Sequence, residues 1–152
     1  MAYISLMEYQ RIYGEIEVDK FTRYEMLARR KLDNYTTGAD GFCKLKHAFP
    51  MDEEDAAVVK QCAAAMVNAL YMADKLSKAA APVQTENGVH SNVITSISAG
   101  NESVHYAAVA LPSGGQESTC AQIVREYLSG ACDVNGVNLL YMGRYPYAVN
   151  LK

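Results

Sequence analysis

The chain reads as a mainly helical α+β domain: a four-helix, bundle-like body with a β-hairpin inserted before the last helix and an extended C-terminal tail. Three observations lead there. Apolar residues recur at helical spacing in four stretches separated by glycine, proline or acidic starts. β-branched residues gather between about 93 and 107, around a Gly100-Asn101 turn. From Leu139 onward, tyrosines alternate with Met142, Arg144 and Pro146, a pattern that suits neither a helix nor a core strand.

The elements follow in order. Ser5 and Glu8 have capping-box spacing, so a helix starts at Leu6. Leu6, Tyr9, Ile12 and Tyr13 share a face, and Gly14 can close the helix. Asp19 is a good N-cap for a second helix, whose face is Phe21, Tyr24, Ala28, Leu32 and Tyr35. Lys20, Arg23, Arg30 and Lys31 run along one edge of it, and Thr36-Thr37-Gly38 stops it. Residues 38–51 read as a loop.

The acids Asp52, Glu53, Glu54 and Asp55 suit the positive end of a helix dipole. A long helix then runs from about Glu53 to Ala80, closed by Ala81-Pro82. Its wide stripe of Val58, Val59, Cys62, Ala65, Met66, Ala69, Leu70, Ala73 and Leu76 makes it the expected central helix. In the hairpin register, Ile97 faces Val104 and Thr95 faces Tyr106. A last helix spans about Gln116 to Ser129, and Asn135-Gly136 signals a turn before the tail. The expected division is a helical domain over 1–138 and a docking tail over 139–152.

Composition bounds the function. The chain has 152 residues, half of them hydrophobic and a fifth charged, which a single domain with its own core accommodates. No secretory signal pattern is visible at the N-terminus, and no apolar run nears the ~20 residues of a membrane span. A soluble, intracellular protein with no membrane partner is the expectation. Cys43, Cys62, Cys120 and Cys132 form no C-x-x-C pair, so they read as reduced thiols, several of them buried. Cys43 and His47 make at most half of a zinc site, which His90 and His105 do not complete.

The net charge is −3, with an acidic N-terminus, a basic 20–46 segment and an acidic remainder. That asymmetry is too small for a general nucleic-acid binder. No Walker loop, nucleophile elbow or H-E-x-x-H pair occurs. Ser103 and His105 are two apart on a strand, which reads first as a polar row and only secondarily as a nucleophile and base. Residues 52–55 point in diverging directions on one turn, so helix-start stabilisation is preferred over cation binding. No enzymatic activity, cofactor or metal is expected. The aromatic tail, by contrast, is too short to build a core and too apolar for water, so it calls for a partner.

Several stretches resemble the head–tail connector (adaptor, head-completion) family of long-tailed double-stranded DNA phages and prophages. The opening Ala2-Tyr3-Ile4-Ser5-Leu6-Met7-Glu8-Tyr9, ending at Tyr13-Gly14, is similar to that family's first helix. Phe21-x-Arg23, Ala28-Arg29, Leu32-Asp33 and Thr36-Thr37-Gly38 resemble the second. Residues 96–106 resemble a Ser-rich hairpin. Tyr127-Leu128-Ser129-Gly130 and Leu139-Leu140-Tyr141-Met142-Gly143 resemble the closing helix and its tail, with Met142 where an arginine is common. The residues after Gly143 extend beyond the family's short ends.

The resemblance implies structural work in the virion neck, after assembly in the bacterial host cytoplasm. Such proteins form a closed ring, usually of about twelve copies, beneath the portal. The ring extends the DNA channel, through which genomic DNA passes without sequence-specific binding, and offers a surface to the stopper or tail terminator protein. On this reading Leu139, Leu140, Tyr141, Met142, Arg144, Tyr145 and Tyr147 bind the portal. Lys20, Arg23, Arg30 and Lys31 meet Asp52, Glu53 and Asp55 of the next copy, and Gly100, Asn101 and Glu102 face the tail. The alternatives are a tail-completion protein and a small cytoplasmic nucleic-acid-binding regulator.

Overall fold

The computed structural model describes residues 2–79 and 115–147, with strand segments at 82–85, 88–91, 96–99 and 102–105 between them. The described chain is mainly helical. Helix α1 (Leu6–Tyr13) starts as its capping box dictates: Glu8 N–H donates to Ser5 Oγ at 3.3 Å, and Ser5 N–H donates to Glu8 Oε2 at 2.8 Å. Gly14 ends it at φ 86°, a backbone conformation that side chains other than glycine resist. Its expected apolar face is only half used. Tyr9 is buried and Leu6 partly so, whereas Ile12 and Tyr13 are exposed. An eight-residue helix has room to bury only a narrow stripe, here Tyr9 against Phe21 of the next helix and Asn68 of the long helix further on.

Helix α2 (Val18–Tyr35) begins one residue before Asp19, with Glu17 as an N-cap whose side chain makes no capping bond to the backbone. Asp19 instead sits in the first turn, where its charge still opposes the helix dipole favourably. Phe21, Tyr24, Ala28 and Leu32 face the core as their spacing requires. The 38–51 segment is not all loop. Helix α3 (Lys44–His47) lies within it, held by a Thr37–Cys43 bridge and by Lys44 N–H donating to Thr36 O. One turn of helix is too short to leave a periodic signal in sequence.

Helix α4 (Glu53–Ala79) is the central element, packed against α1, α2 and α5 (Gly115–Leu128). It buries Val59, Cys62, Ala63, Ala64, Met66, Val67 and Leu70. The alanines let neighbouring backbones come close. Residues Glu53–Lys78 are, by length and composition, apolar enough to cross a membrane, contrary to the expectation that no such run exists. Packing on three other helices explains that apolarity as the demand of a core helix.

Two antiparallel two-stranded ladders are described: β1 (Pro82–Thr85) with β2 (Gly88–Ser91), and β3 (Ser96–Ala99) with β4 (Glu102–His105). The β3–β4 register places Ile97 opposite Val104. Gly100, Asn101, Thr95 and Tyr106 lie outside the described residues, and no ladder was expected at β1–β2.

The C-terminal segment is not a separate tail as far as Tyr147. Leu139 is fully buried in the main core, and its N–H donates to Ala131 O at 2.9 Å. Ala39 N–H donates to Met142 O at 2.9 Å, tying the strip to the 38–51 segment. At Gly38 a Cβ would stand 2.6 Å from Gly143 O, so glycine is what lets these two chains touch. The boundary expected at 139 therefore cuts through one continuous body.

Candidate interaction surface

A second, smaller core explains how the C-terminal strip is held. Phe42, Ala48 and Tyr145 are buried together, with Val137 packed against them. The Phe42 and Tyr145 rings lie 4.2 Å apart between centroids. Tyr145 Oη donates to Asp133 Oδ2 at 2.5 Å and accepts from Asn135 Nδ2 at 2.9 Å, while Tyr145 N–H donates to Asp40 Oδ2 at 2.8 Å. Asp133 also accepts the N–H groups of Asn135 and Val137 at its other oxygen, which folds the Asn135-Gly136 turn around it. Burial and the Asp133 carboxylate push the Tyr145 phenol up to about 12.

Of the seven residues expected to bind a portal, Leu139 and Tyr145 are thus internal anchors rather than surface contacts. Burial removes both side chains from any partner that this conformation meets. Leu140 is half-buried against the main core. Tyr141, Met142, Arg144 and Tyr147 are exposed. At the same pole Val134 N–H donates to Ala48 O, which brings exposed Val134 beside the chain leading to Met51, 82% exposed. The strip thus carries exposed apolar side chains on a segment that is hydrogen-bonded back to the 38–51 segment.

The basic edge of α2 is partly engaged inside the chain. Lys20 pairs with Glu17 at 2.8 Å, Lys31 with Glu117, and the Arg23 guanidinium lies 5.7 Å from the centre of the Tyr24 ring. Arg30 is exposed. The acidic cluster divides its work. Asp52 caps α4 by accepting from Glu54 and Asp55 N–H at 3.1 and 3.4 Å, and Asp55 Oδ2 accepts Cys132 N–H at 3.2 Å. Glu53 and Glu54 stay exposed. Glu102 opens β4, and Gly100 and Asn101 fall outside the described residues.

Among the described residues, two open grooves lie on the helical body. One, about 220 Å³, lies between α2 and α4 and is formed by Arg23, Tyr24, Leu27, Leu70, Ala73, Asp74 and Ser77. The other, about 320 Å³, lies between α1 and α4, over Ile4, Ile12 and Ala57, with Glu8, Arg11, Lys60 and Gln61 around it. Glu8 and Lys60 pair across it at 2.8 Å, and that lysine, with the Ser5 capping bonds, holds the Glu8 carboxyl at about 2. Among the described residues, no group of three or more His, Cys, Asp or Glu could hold a metal ion. Cys43 and Cys62 are buried free thiols, and burial pushes Cys62 up to about 12.

Besides Asp133, the buried charges of Lys44 and Glu25 were not singled out from the sequence. Lys44 is 1% exposed, its Nζ donating to Thr36 O at 2.9 Å, and burial lowers its pKa. Glu25 is 8% exposed, and its Oε1 has no hydrogen-bond partner among the described residues. Glu25 sits on the buried stripe of α2, four residues after Phe21 and three before Ala28, so its position signals burial although its charge does not, whereas Lys44 lies in a single turn that leaves no periodic signal. Comparison with protein-family models, curated proteins and solved structures finds no match for this chain.

Proposed function

We propose that the protein is a structural head–tail connector of a tailed phage or prophage, working as a ring between portal and tail. The ring, of about twelve copies, would extend the DNA channel and carry the docking surface for a stopper or tail protein. The observation that carries this reading is the ordered set of four sequence stretches resembling that family over nearly the whole chain. The β3–β4 pairing falls in one of those stretches, and the proposed inserted hairpin would present Gly100, Asn101 and Glu102 to the tail side.

Physical chemistry supports the reading at two points. The C-terminal strip exposes Tyr141, Met142 and Tyr147 while Tyr145 between them is anchored by hydrogen bonds to Asp133 and Asp40. Such a surface suits a partner that needs a preformed contact. At −3 per chain, twelve copies carry about −36, which keeps DNA from adhering to a channel wall.

Because Leu139 belongs to the core, removing residues 139–152 would unfold the chain and test nothing about docking. The informative variant is Tyr141→Ser, Met142→Ser and Tyr147→Ser combined, which changes exposed side chains. It should stay folded and lose co-sedimentation with DNA-filled heads bearing portal. Undiminished head binding by this folded variant would overturn the docking assignment. Wild-type chain that never joins filled heads would overturn the connector reading itself.

A further inference from the structure

The two ends of α4 carry different surfaces. The helix has 27 residues and so spans about 40 Å. At its N-terminal end Met51 stands 82% exposed, followed by the capping Asp52 and the exposed carboxylates of Glu53 and Glu54. Pro50 is buried and Phe49 packs on the main core, so this methionine projects from a fixed base. Near the other end, Tyr24 Oη donates to Asp74 Oδ2 at 2.5 Å, which draws the N-terminal half of α2 against the C-terminal half of α4.

The α2–α4 groove lies at that second pole. Leu27, Leu70 and Ala73 give it apolar walls, and its volume of about 220 Å³ can take a single unbranched side chain. Its one carboxylate, Asp74, is already held by Lys78 at 2.7 Å and by Tyr24. Arg23 lines the groove, and Lys20 lies one turn away on α2. One end of α4 thus has an apolar slot beside Arg23 and Lys20, the lysine also paired with Glu17, and the other end has an exposed methionine followed by carboxylates.

We infer that the occupant of the α2–α4 groove is the 51–54 segment of a second copy of this chain. Met51 inserts between Leu27, Leu70 and Ala73, and Glu53 and Glu54 lie against Arg23 and Lys20. The contact is heterologous, joining head to tail, so it propagates until a ring closes. Methionine suits the role because its unbranched thioether adapts to a shallow apolar slot. The inference rests on the ring reading above for copies meeting in series, and it deepens the charge pairing expected there by adding the apolar slot that takes Met51.

Charge reversal with complementation tests it. One chain carries Lys20→Glu and Arg23→Glu; the other carries Glu53→Lys and Glu54→Lys. Helical circular dichroism first confirms that both fold. Sedimentation velocity is then run up to about 1 mM, the range in which a single weak contact saturates. Wild type should self-associate, and each variant alone should do so at least about tenfold more weakly, because like charges meet. An equal mixture should recover wild-type association, since each reversed pole now finds its complement. Failure of the mixture to recover, or wild-type association by either variant alone, overturns the contact.

A photo-crosslinker at position 51 gives a readout independent of charge. Mixed isotope-labelled and unlabelled chains should yield crosslinks between copies, mapping to peptides containing Leu27 or Leu70. Crosslinks between copies that map elsewhere overturn this contact and leave the ring reading standing. A wild-type chain that stays monomeric and gives no crosslink between copies overturns the contact as well. Wild-type chain that associates through this groove but never joins filled heads keeps the contact and overturns the connector reading.

Discussion

Leu139→Ala separates a strip built into the body from a strip that hangs free. Leu139 is 0% exposed and belongs to the main core cluster with Leu128 and Ala131. The substitution removes about three carbons from that core, or roughly 2.4 kcal/mol at 0.8 per buried methylene. A cavity that only partly collapses adds about 1 kcal/mol more, for a total near 3 to 4 kcal/mol. At this chain length each kcal/mol moves the melting midpoint by about 2–4 °C, so the drop should be roughly 6–16 °C. Urea or thermal denaturation followed by circular dichroism at 222 nm reads it directly. Met142→Ala is the control, three positions along and 58% exposed, and should stay within about 0.5 kcal/mol of wild type. A Leu139→Ala midpoint equal to that of Met142→Ala would refute the claim that the strip is part of the core.

Two further outcomes follow from the buried and paired groups. Tyr35 and Tyr145 are both pushed up to about 12, by burial and by hydrogen bonds to Glu117 and Asp133. A phenol raised in the folded state contributes stability that is complete below its unfolded pKa near 10 and is lost as pH climbs from there toward 12. Urea midpoints should therefore fall between about pH 10 and 12, and Tyr145→Phe should flatten part of that fall; equal slopes would refute it. Thiol labelling under native conditions should modify half-buried Cys132 first, with Cys43, Cys62 and Cys120 reacting only through opening of the fold. Simultaneous labelling of all four would contradict the packing.

Much of the helical body was legible because its signals are local. Ser5, Glu8 and Gly14 bracket α1 with side chains that satisfy backbone groups within four residues, and the structure carries out those bonds. Phe21, Tyr24, Ala28 and Leu32 point inward because a helix has one period, whatever it packs on. The acids at 52–55 likewise need only the dipole that follows them. The candidate surface was less legible. Leu139 and Tyr145 look in sequence like their exposed neighbours Tyr141 and Tyr147, because apolarity alone does not say which partner takes the side chain.

The amino-acid order by itself determined where α1 and α4 start, the inward stripe of α2, and that α4 is the hub, since capping, periodicity and length act over a few residues. Only the tertiary structure decided that the C-terminal strip returns to its own chain. That return depends on Asp40, Phe42 and Gly38, about a hundred residues away, accepting Tyr145 and Gly143 at contact distance. Tertiary packing also left Met51 bare at one pole and opened the α2–α4 groove at the other. Exposure is a property of what lies next to a side chain in space, and that is set by the close packing of distant segments.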